Sequence, residues 1–297
     1  MNIKVATRKS ALALAQARAW MAELSRVTGC TTEEVHITTT GDEIQDRSLS
    51  EIGGKGLFVK EIEEAILDGR ADIAIHSLKD VPGELADGLI IGCIPVREDP
   101  RDVLVSRAGV AFADLPQGAM VGTSSLRRSV QLGAERPDLK ISPLRGNVDT
   151  RLRKCEDGEV DAIILAYAGM RRLGLEARVT EVLSPERCLP AVGQGALGIE
   201  RRQHDADVEA QLDRMHDVAT GRRVAAERGV MLAAEGSCQL PIAAFAEQLG
   251  DELRLRGFLA EADGTRPRHQ EITEPYPSTD EAAREMGLRL GKSLKAS

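Results

Sequence analysis

An internal echo limits the architecture of this chain more than any other feature. Asp68-Gly69-Arg70-Ala71-Asp72-Ile73-Ala74-Ile75 is answered 89 positions later by Asp157-Gly158-Glu159-Val160-Asp161-Ala162-Ile163-Ile164. Each copy reads as a helix stopped at Gly, the residue that most readily takes the left-handed conformation, with an apolar strand starting just after an Asp. Two such turns can arise independently. The alternative is a pair of similarly wound domains facing each other across a cleft.

The flanking pattern favours α/β architecture. Ile3–Thr7 reads as a short buried strand, Ser10 to about Thr28 as a helix, Val35–Thr39 as a second strand and Ala71–Ile75 as a third. Strands alternating with helices of this length imply βαβ units and a mainly parallel sheet. The polar stretch Asp46–Gly56, with Gly53, Gly54 and Gly56, reads as a loop before a helix from about Leu57 to Asp68. The Pro-bearing run Cys93–Arg101 reads as a crossing to a second domain, with a return near Gly193–Gly198. From about His216 a helix runs to Glu235, followed by candidate strands Ala243–Glu247 and Glu252–Leu259 and a closing helix Asp280–Leu294. The expected fold is two α/β domains around a cleft plus a small α+β C-terminal domain. The boundaries fall at residues 1–95 with 196–213, 96–195 and 216–297.

Composition narrows the function. The net charge of −8 gives no basic field for DNA or an anionic membrane, and 2% aromatic residues leave little to stack on single-stranded bases. No stretch approaches the roughly 20 apolar residues of a membrane span, and Gln16 and Arg18 interrupt the only N-terminal apolar run, so a cytoplasmic protein is expected. Five cysteines, widely spaced and without a C-x-x-C pair, argue against a disulfide framework or a zinc site. No metal is expected.

The basic residues are lopsided: nine of 39 are lysine, leaving thirty arginines. Several of these stand where strands end. Gly122-Thr123-Ser124-Ser125-Leu126-Arg127-Arg128 places free N–H groups and hydroxyls at a helix start, where the helix dipole favours anions. Two arginines there are poor company for the positive helix end unless an anion bridges them; a capped helix with solvated arginines is the plainer alternative. Leu144-Arg145-Gly146-Asn147 repeats the pattern, with Arg151 and Arg153 in the next helical turns. Arg8 and Ser10 follow the first strand, and Arg171-Arg172 follow Ala162–Ala166. Open α/β sheets bind ligands at this edge, and Arg suits carboxylate or phosphate.

Asp80 is an acid on the same edge, at the end of His76-Ser77-Leu78-Lys79-Asp80, and can stabilise a developing cation or simply cap or pair locally. Cys238, in Glu235-Gly236-Ser237-Cys238-Gln239-Leu240-Pro241, lies in a loop, where a thiol can be a nucleophile or an attachment point. His76, a lone histidine near a buried strand, reads as structural.

Taken in order, eight segments resemble the motifs of the porphobilinogen deaminase (hydroxymethylbilane synthase) family. They are Ala6–Ser10, Gly53–Phe58, His76–Pro82, Arg97–Asp102, Gly122–Arg128, Leu144–Asn147, Leu189–Gly195 and the Cys238 loop. The resemblance covers nearly the whole chain. It implies two domains like the halves of a periplasmic-type binding protein, and a dipyrromethane cofactor attached covalently at Cys238. It further implies porphobilinogen as substrate, four units being joined head to tail with loss of ammonia, and a monomeric enzyme. Asp80 would be catalytic and would contact the pyrrole N–H groups. Lys79, Thr123, Ser125, Arg127, Arg128, Arg145 and Gly146 would join it around the cofactor. Arg8, Ser10, Arg151, Arg172 and Gln194 would bind substrate, and Lys55 and Phe58 would belong to a lid. Ser237 stands where many of the family carry Gly, and Glu51 where some carry Lys. The rival readings are a non-catalytic anion-binding module of the same fold and a phosphate-ester transferase. The first needs neither Asp80 nor Cys238, and the second lacks a Walker-type Gly-Lys-Ser/Thr.

Overall fold

In the computed structural model, residues 1–43, 59–234 and 240–297 are described. Lys55, Phe58 and Cys238, together with Glu51 and Ser237, lie outside them.

The first sheet holds β1 (Asn2–Arg8), β2 (Thr31–Ile37), β3 (Ile73–Ser77), β4 (Leu89–Cys93) and β10 (Leu197–Arg202), in the order β2-β1-β3-β10-β4. The second holds β5 (Asp102–Ser106), β6 (Met120–Gly122), β7 (Lys140–Ser142), β8 (Ala162–Ala166) and β9 (Glu181–Val182), in the order β7-β6-β8-β5-β9. The two orders match strand for strand. In each, four strands run parallel and one lies antiparallel, between the third strand and the edge. That antiparallel strand is the one entering from the other half: β5 follows the outgoing crossing and β10 the return. The sheets are therefore mainly parallel, each with one reversed member.

The echoed segments are topologically equivalent. Gly69 and Gly158 both take the left-handed conformation, at φ +79° and +82°, and lead into β3 and β8. The Asp before each strand does the same work in both halves. The Asp72 carboxylate accepts from the Lys4 N–H at 2.8 Å, and the Asp161 carboxylate accepts from the Met120 N–H at 2.8 Å. Each acid thus fastens the third strand to the first, which explains its place just after the helix stop.

Strand side chains alternate between two buried faces, as helices on both sides of a sheet require. On the first sheet, Ile3, Val5, Ile73 and Ile75 pack on Trp20, Met21 and Leu24 of α1 (Ala11–Thr28). Past the short helix α2 (Thr40–Glu43), α3 (Lys60–Leu67) covers the opposite face, with Ile62, Ala65 and Ile66 against Ala6 and Ala74. On the second sheet, Leu132 of α4 (Leu126–Glu135) packs on Leu104, Val121 and Ile164. Behind it, α5 (Val148–Glu156) and α6 (Tyr167–Arg172) set Leu152, Cys155 and Met170 against Val103, Val105 and Ile163.

The crossings lie side by side. The Glu98 N–H donates to Gly195 O at 3.2 Å, and the Leu78 N–H donates to Ala196 O at 3.0 Å. A Cβ on Gly195 would come within 2.5 Å of Glu98 O, so this approach needs glycine. After α7 (Ala206–Leu212), α8 (Val218–Ala233) and α9 (Asp280–Ala296) pack against an antiparallel sheet of β11 (Ile242–Leu249), β12 (Glu252–Leu259) and β13 (Arg268–Pro275). Glu227 of α8 bolts this unit to both crossings. Its buried carboxylate accepts from Arg97 at 2.6 and 3.0 Å, from Gly193 N at 2.8 Å and from Ala246 N at 3.0 Å.

Two expectations need correcting. The second strand is Thr31–Ile37 rather than Val35–Thr39, since it pairs from Asn2↔Thr31 to Arg8↔Ile37 along an edge where only Ile37 is fully buried. The C-terminal sheet has a third strand, β13, whose side chains alternate between half-buried and exposed; too few of them are apolar to mark it.

Candidate active site

The site lies between the two halves and is built from strand ends. Beyond β3, Leu78–Asp80 form a single 3-10 turn anchored by buried Leu78. The turn therefore presents Asp80 outward and leaves Lys79 half-buried. Asp80 is exposed and makes no hydrogen bond to a described residue. Burial pushes the Lys79 ammonium down to about 8; Asp80 and Asp102 oppose the shift, while the charges of Arg128 and Arg127 add to it. A residue of the first half thus feels three charged residues of the second.

Opposite stands the turn after β6. Thr123 is buried and its hydroxyl accepts from the Ser125 N–H at 3.2 Å; Ser125 caps α4, accepting from Arg128 N. The anion expected between Arg127 and Arg128 is present, and it belongs to the chain. Arg127 reaches Asp102 at 2.7 Å, and Arg128 grips the other oxygen through Nε at 3.1 Å and Nη2 at 2.6 Å. Burial alone would raise the Asp102 carboxyl; the two guanidinium charges override it and hold the group far below the usual carboxylate range. Gln194 donates to the same carboxylate at 2.9 Å and to Pro100 O at 2.6 Å. So Arg128 has its bidentate face on Asp102, and any ligand meets only its remaining N–H groups.

The remaining arginines are oriented by backbone. Arg151 donates from Nε to Gly146 O at 2.7 Å, and Gly146, at φ +114°, holds a conformation that disfavours a side chain. Burial, with Arg128 and Arg145 nearby, lowers Arg151 to about 10, while Asp80 opposes this. Arg145 carries a buried Nη1 with no hydrogen-bond partner. Arg172 donates to Gly195 O at 2.7 Å, and burial lowers it to about 10. Arg8, Ser10 and Asp80 line a cavity of about 70 Å³ in the first half, where Ser10 also caps α1.

Lys79, Asp80, Arg127, Arg128, Arg145 and Arg151 are thus electrostatic neighbours. Arg8 and Ser10 share the cavity with Asp80; Gln194 sits on the return crossing, and Arg172, at the end of α6, reaches that crossing through Gly195 O. Asp102 is the functional residue that sequence reasoning passed over. An acid set directly before the all-apolar Val103-Leu104-Val105 was a signal that it is buried and paired. The thiols of Cys30, Cys93, Cys155 and Cys188 are buried and free, and burial drives Cys93 and Cys188 up to about 12, far from a reactive thiolate. Among the described residues no cluster of three or more His, Cys, Asp or Glu could hold a metal.

Fold and site define an α/β protein of two similar halves whose strand ends gather arginines around Asp80 and Asp102. Residues 3–210 match the family model "porphobilinogen deaminase, dipyromethane cofactor binding domain", and residues 222–296 match its C-terminal domain. The chain belongs to the porphobilinogen deaminase family. It is 57% identical over 295 residues to the porphobilinogen deaminase of Sorangium cellulosum, covering 99% of this chain and 98% of that one. It is 50% identical to that of Maridesulfovibrio salexigens, covering 99% and 95%. Among solved structures, the periplasmic VFT2 domain of Bordetella pertussis BvgS is similar at TM-score 0.42 and 15% identity, over 72% of this chain and 86% of that domain.

Proposed function

We propose that this chain is a transferase that condenses four porphobilinogen molecules head to tail, releasing ammonia and yielding hydroxymethylbilane, and that it works as a cytoplasmic monomer. The observation that carries the reading is charge balance. Five cations, Lys79, Arg127, Arg128, Arg145 and Arg151, crowd around two acids, Asp80 and Asp102, and Arg145 keeps an unpartnered buried nitrogen. Such an excess calls for an anionic ligand. A dipyrromethane with its carboxylate arms fits that need, and with it would come a pyrrole carbon from which the chain grows.

Within this reading Lys79, Arg127, Arg128 and Arg145 hold cofactor carboxylates, with Thr123, Ser125 and Gly146 shaping the turns. Arg8, Ser10, Arg151 and Arg172 take substrate carboxylates, and Gln194 steadies Asp102. Lys55 and Phe58 belong to a covering segment. Asp80, the exposed acid with no hydrogen bond to a described residue, accepts pyrrole N–H groups and stabilises positive charge as ammonia leaves. At about 4 Å and an effective dielectric near 20 that is worth about 4 kcal/mol, or about a thousandfold in rate. It then holds the proton released when the carbon–carbon bond has formed. Cys238 is the attachment point. The domains run over residues 1–95 with 196–213, 96–195 and 216–297, following strand membership. Asp80→Asn tests the acid: turnover should fall about a thousandfold with the fold intact, and near-normal turnover refutes the role.

A further inference from the structure

The backbone on either side of Asp80 is anchored, and the anchor on its C-terminal side comes from the C-terminal unit. Before the acid, the Leu78 N–H donates to Ala196 O at 3.0 Å, and the Val81 N–H closes the turn on Leu78 O at 3.2 Å. After it, Arg228 of α8 reaches three successive carbonyls. Its Nη2 donates to Pro82 O at 2.7 Å and to Gly83 O at 3.3 Å, and its Nη1 donates to Val81 O at 3.3 Å. Three carbonyls on one planar guanidinium fix the direction of the chain as well as its distance. Asp80 itself is exposed and has no hydrogen bond to a described residue, so among the described residues only its backbone is held.

Val224, Arg228 and Leu232 stand four residues apart, so one face of α8 meets the whole stretch. Val224 packs with Leu78 and Val81 in a buried cluster. At the other end, a Cβ on Gly83 would come within 2.8 Å of Leu232 Cδ2. These apolar contacts seat the helix and leave the arginine between them unexplained. Arg228 is half-buried and forms no ion pair with a described residue. Burial, with the like charge of Arg284 second, pushes its guanidinium down to about 10. A cation shielded from water without a counter-ion costs stability, and an aliphatic residue would fill the same face without that cost. What the guanidinium adds is a fixed backbone beside the acid. The same helix ends at Ala233, five residues before Cys238, so one element grips the chain next to Asp80 and leads to the loop cysteine.

We propose that Arg228 is a positioning residue for the reaction: by holding Val81, Pro82 and Gly83 it sets Asp80 at its working distance from the pyrrole chain tethered at Cys238. It acts through the backbone rather than on the ligand. The proposal rests on the porphobilinogen reading above.

The test uses the holoenzyme, with the dipyrromethane increment verified by intact mass in every variant. A displacement of about 1 Å at a reacting group can cost about a hundredfold in rate. Arg228→Met should therefore lower kcat about tenfold to a hundredfold while KM stays within about threefold, the mark of an interaction that matters only in the transition state. Arg228→Lys, which keeps the charge but not the fork, should lower kcat less, by about threefold to tenfold. In an Asp80→Asn background, Arg228→Met should lower the residual kcat by no more than about twofold, because the carboxylate whose place it sets is gone. A bolt needed only for stability would lower melting and leave kcat of the loaded enzyme unchanged; that result overturns the proposal. Losses that multiply in the double variant overturn it too, as does a raised KM at constant kcat. If Arg228→Met does not fold or load, Arg228→Lys decides alone, and an unsubstituted rate there refutes the role. An unsubstituted protein lacking both the mass increment and activity would instead refute the porphobilinogen reading itself.

Discussion

The two α/β halves share strand order, helix placement, and even the Asp that ties the third strand to the first, yet the exposed acid of the cleft comes from one half, beside Lys79 and Arg8, and most of its arginines from the other. In the first half the turn after β3 ends in Asp80, exposed and with no hydrogen bond to a described residue. In the second half, the turn after the equivalent strand, β8, leads to Arg172, and the turn after β6 leads to Arg127 and Arg128. Three of these second-half cations already have an acceptor within the chain: Arg127 and Arg128 have Asp102, and Arg172 has Gly195 O. The acid has none. One scaffold used twice thus gives an exposed acid on one side and braced arginines on the other, the division of labour expected where charge develops on a ligand that must also be held.

If the division is real, the halves should break differently. Asp80→Asn should lower kcat about a thousandfold and leave thermal melting nearly unchanged, because the carboxylate is exposed and no described residue depends on it. Asp102→Ala should reverse that pattern. Stranding Arg127 and Arg128 in the interior should cost about 3–5 kcal/mol of stability, measured by urea unfolding, with loss of cofactor as a consequence. Equal stability in the two variants would erase the distinction. Arg145→Met should be milder than either: cofactor uptake by the cofactor-free protein weakens about tenfold to a hundredfold for one lost charged hydrogen bond, with little change in stability, since the buried nitrogen has no partner among the described residues to lose.

The smallest expected effect is that of pH on Lys79. Its folded value, about 8, lies below the ordinary 10.5. The unfolded chain therefore binds the extra proton between these values, and this residue's contribution to stability rises as pH climbs from about 8 to 10.5. Carboxylate binding runs the other way, because the amine loses its charge over the same window. Cofactor uptake by the cofactor-free protein should weaken above about pH 8, and Lys79→Met should flatten that limb. An unchanged limb in the variant would assign it to another group.

Much of this division was legible from the residues. The echo at Asp68 and Asp157 marked the paired halves, Ser10 marked the start of α1, and the strand-end arginines marked the edge where the cleft lies. The first-half acid stood out because it ends a buried strand on the same edge as the arginines. What escaped was long-range pairing. Asp102 lies 25 and 26 positions from the arginines it neutralises, and Arg228 lies 145 to 147 positions from the carbonyls it holds, so no local pattern announces either contact. β13 escaped for another reason: an exposed edge strand needs few apolar residues, and its pairing partners supply the missing signal.

The central claim is that the cationic wall serves a pyrrole chain anchored on Cys238, and intact mass tests it most directly. The purified active protein should exceed its sequence mass by one dipyrromethane, and Cys238→Ala should lack both the increment and activity. An active preparation with Cys238 unmodified would contradict the account.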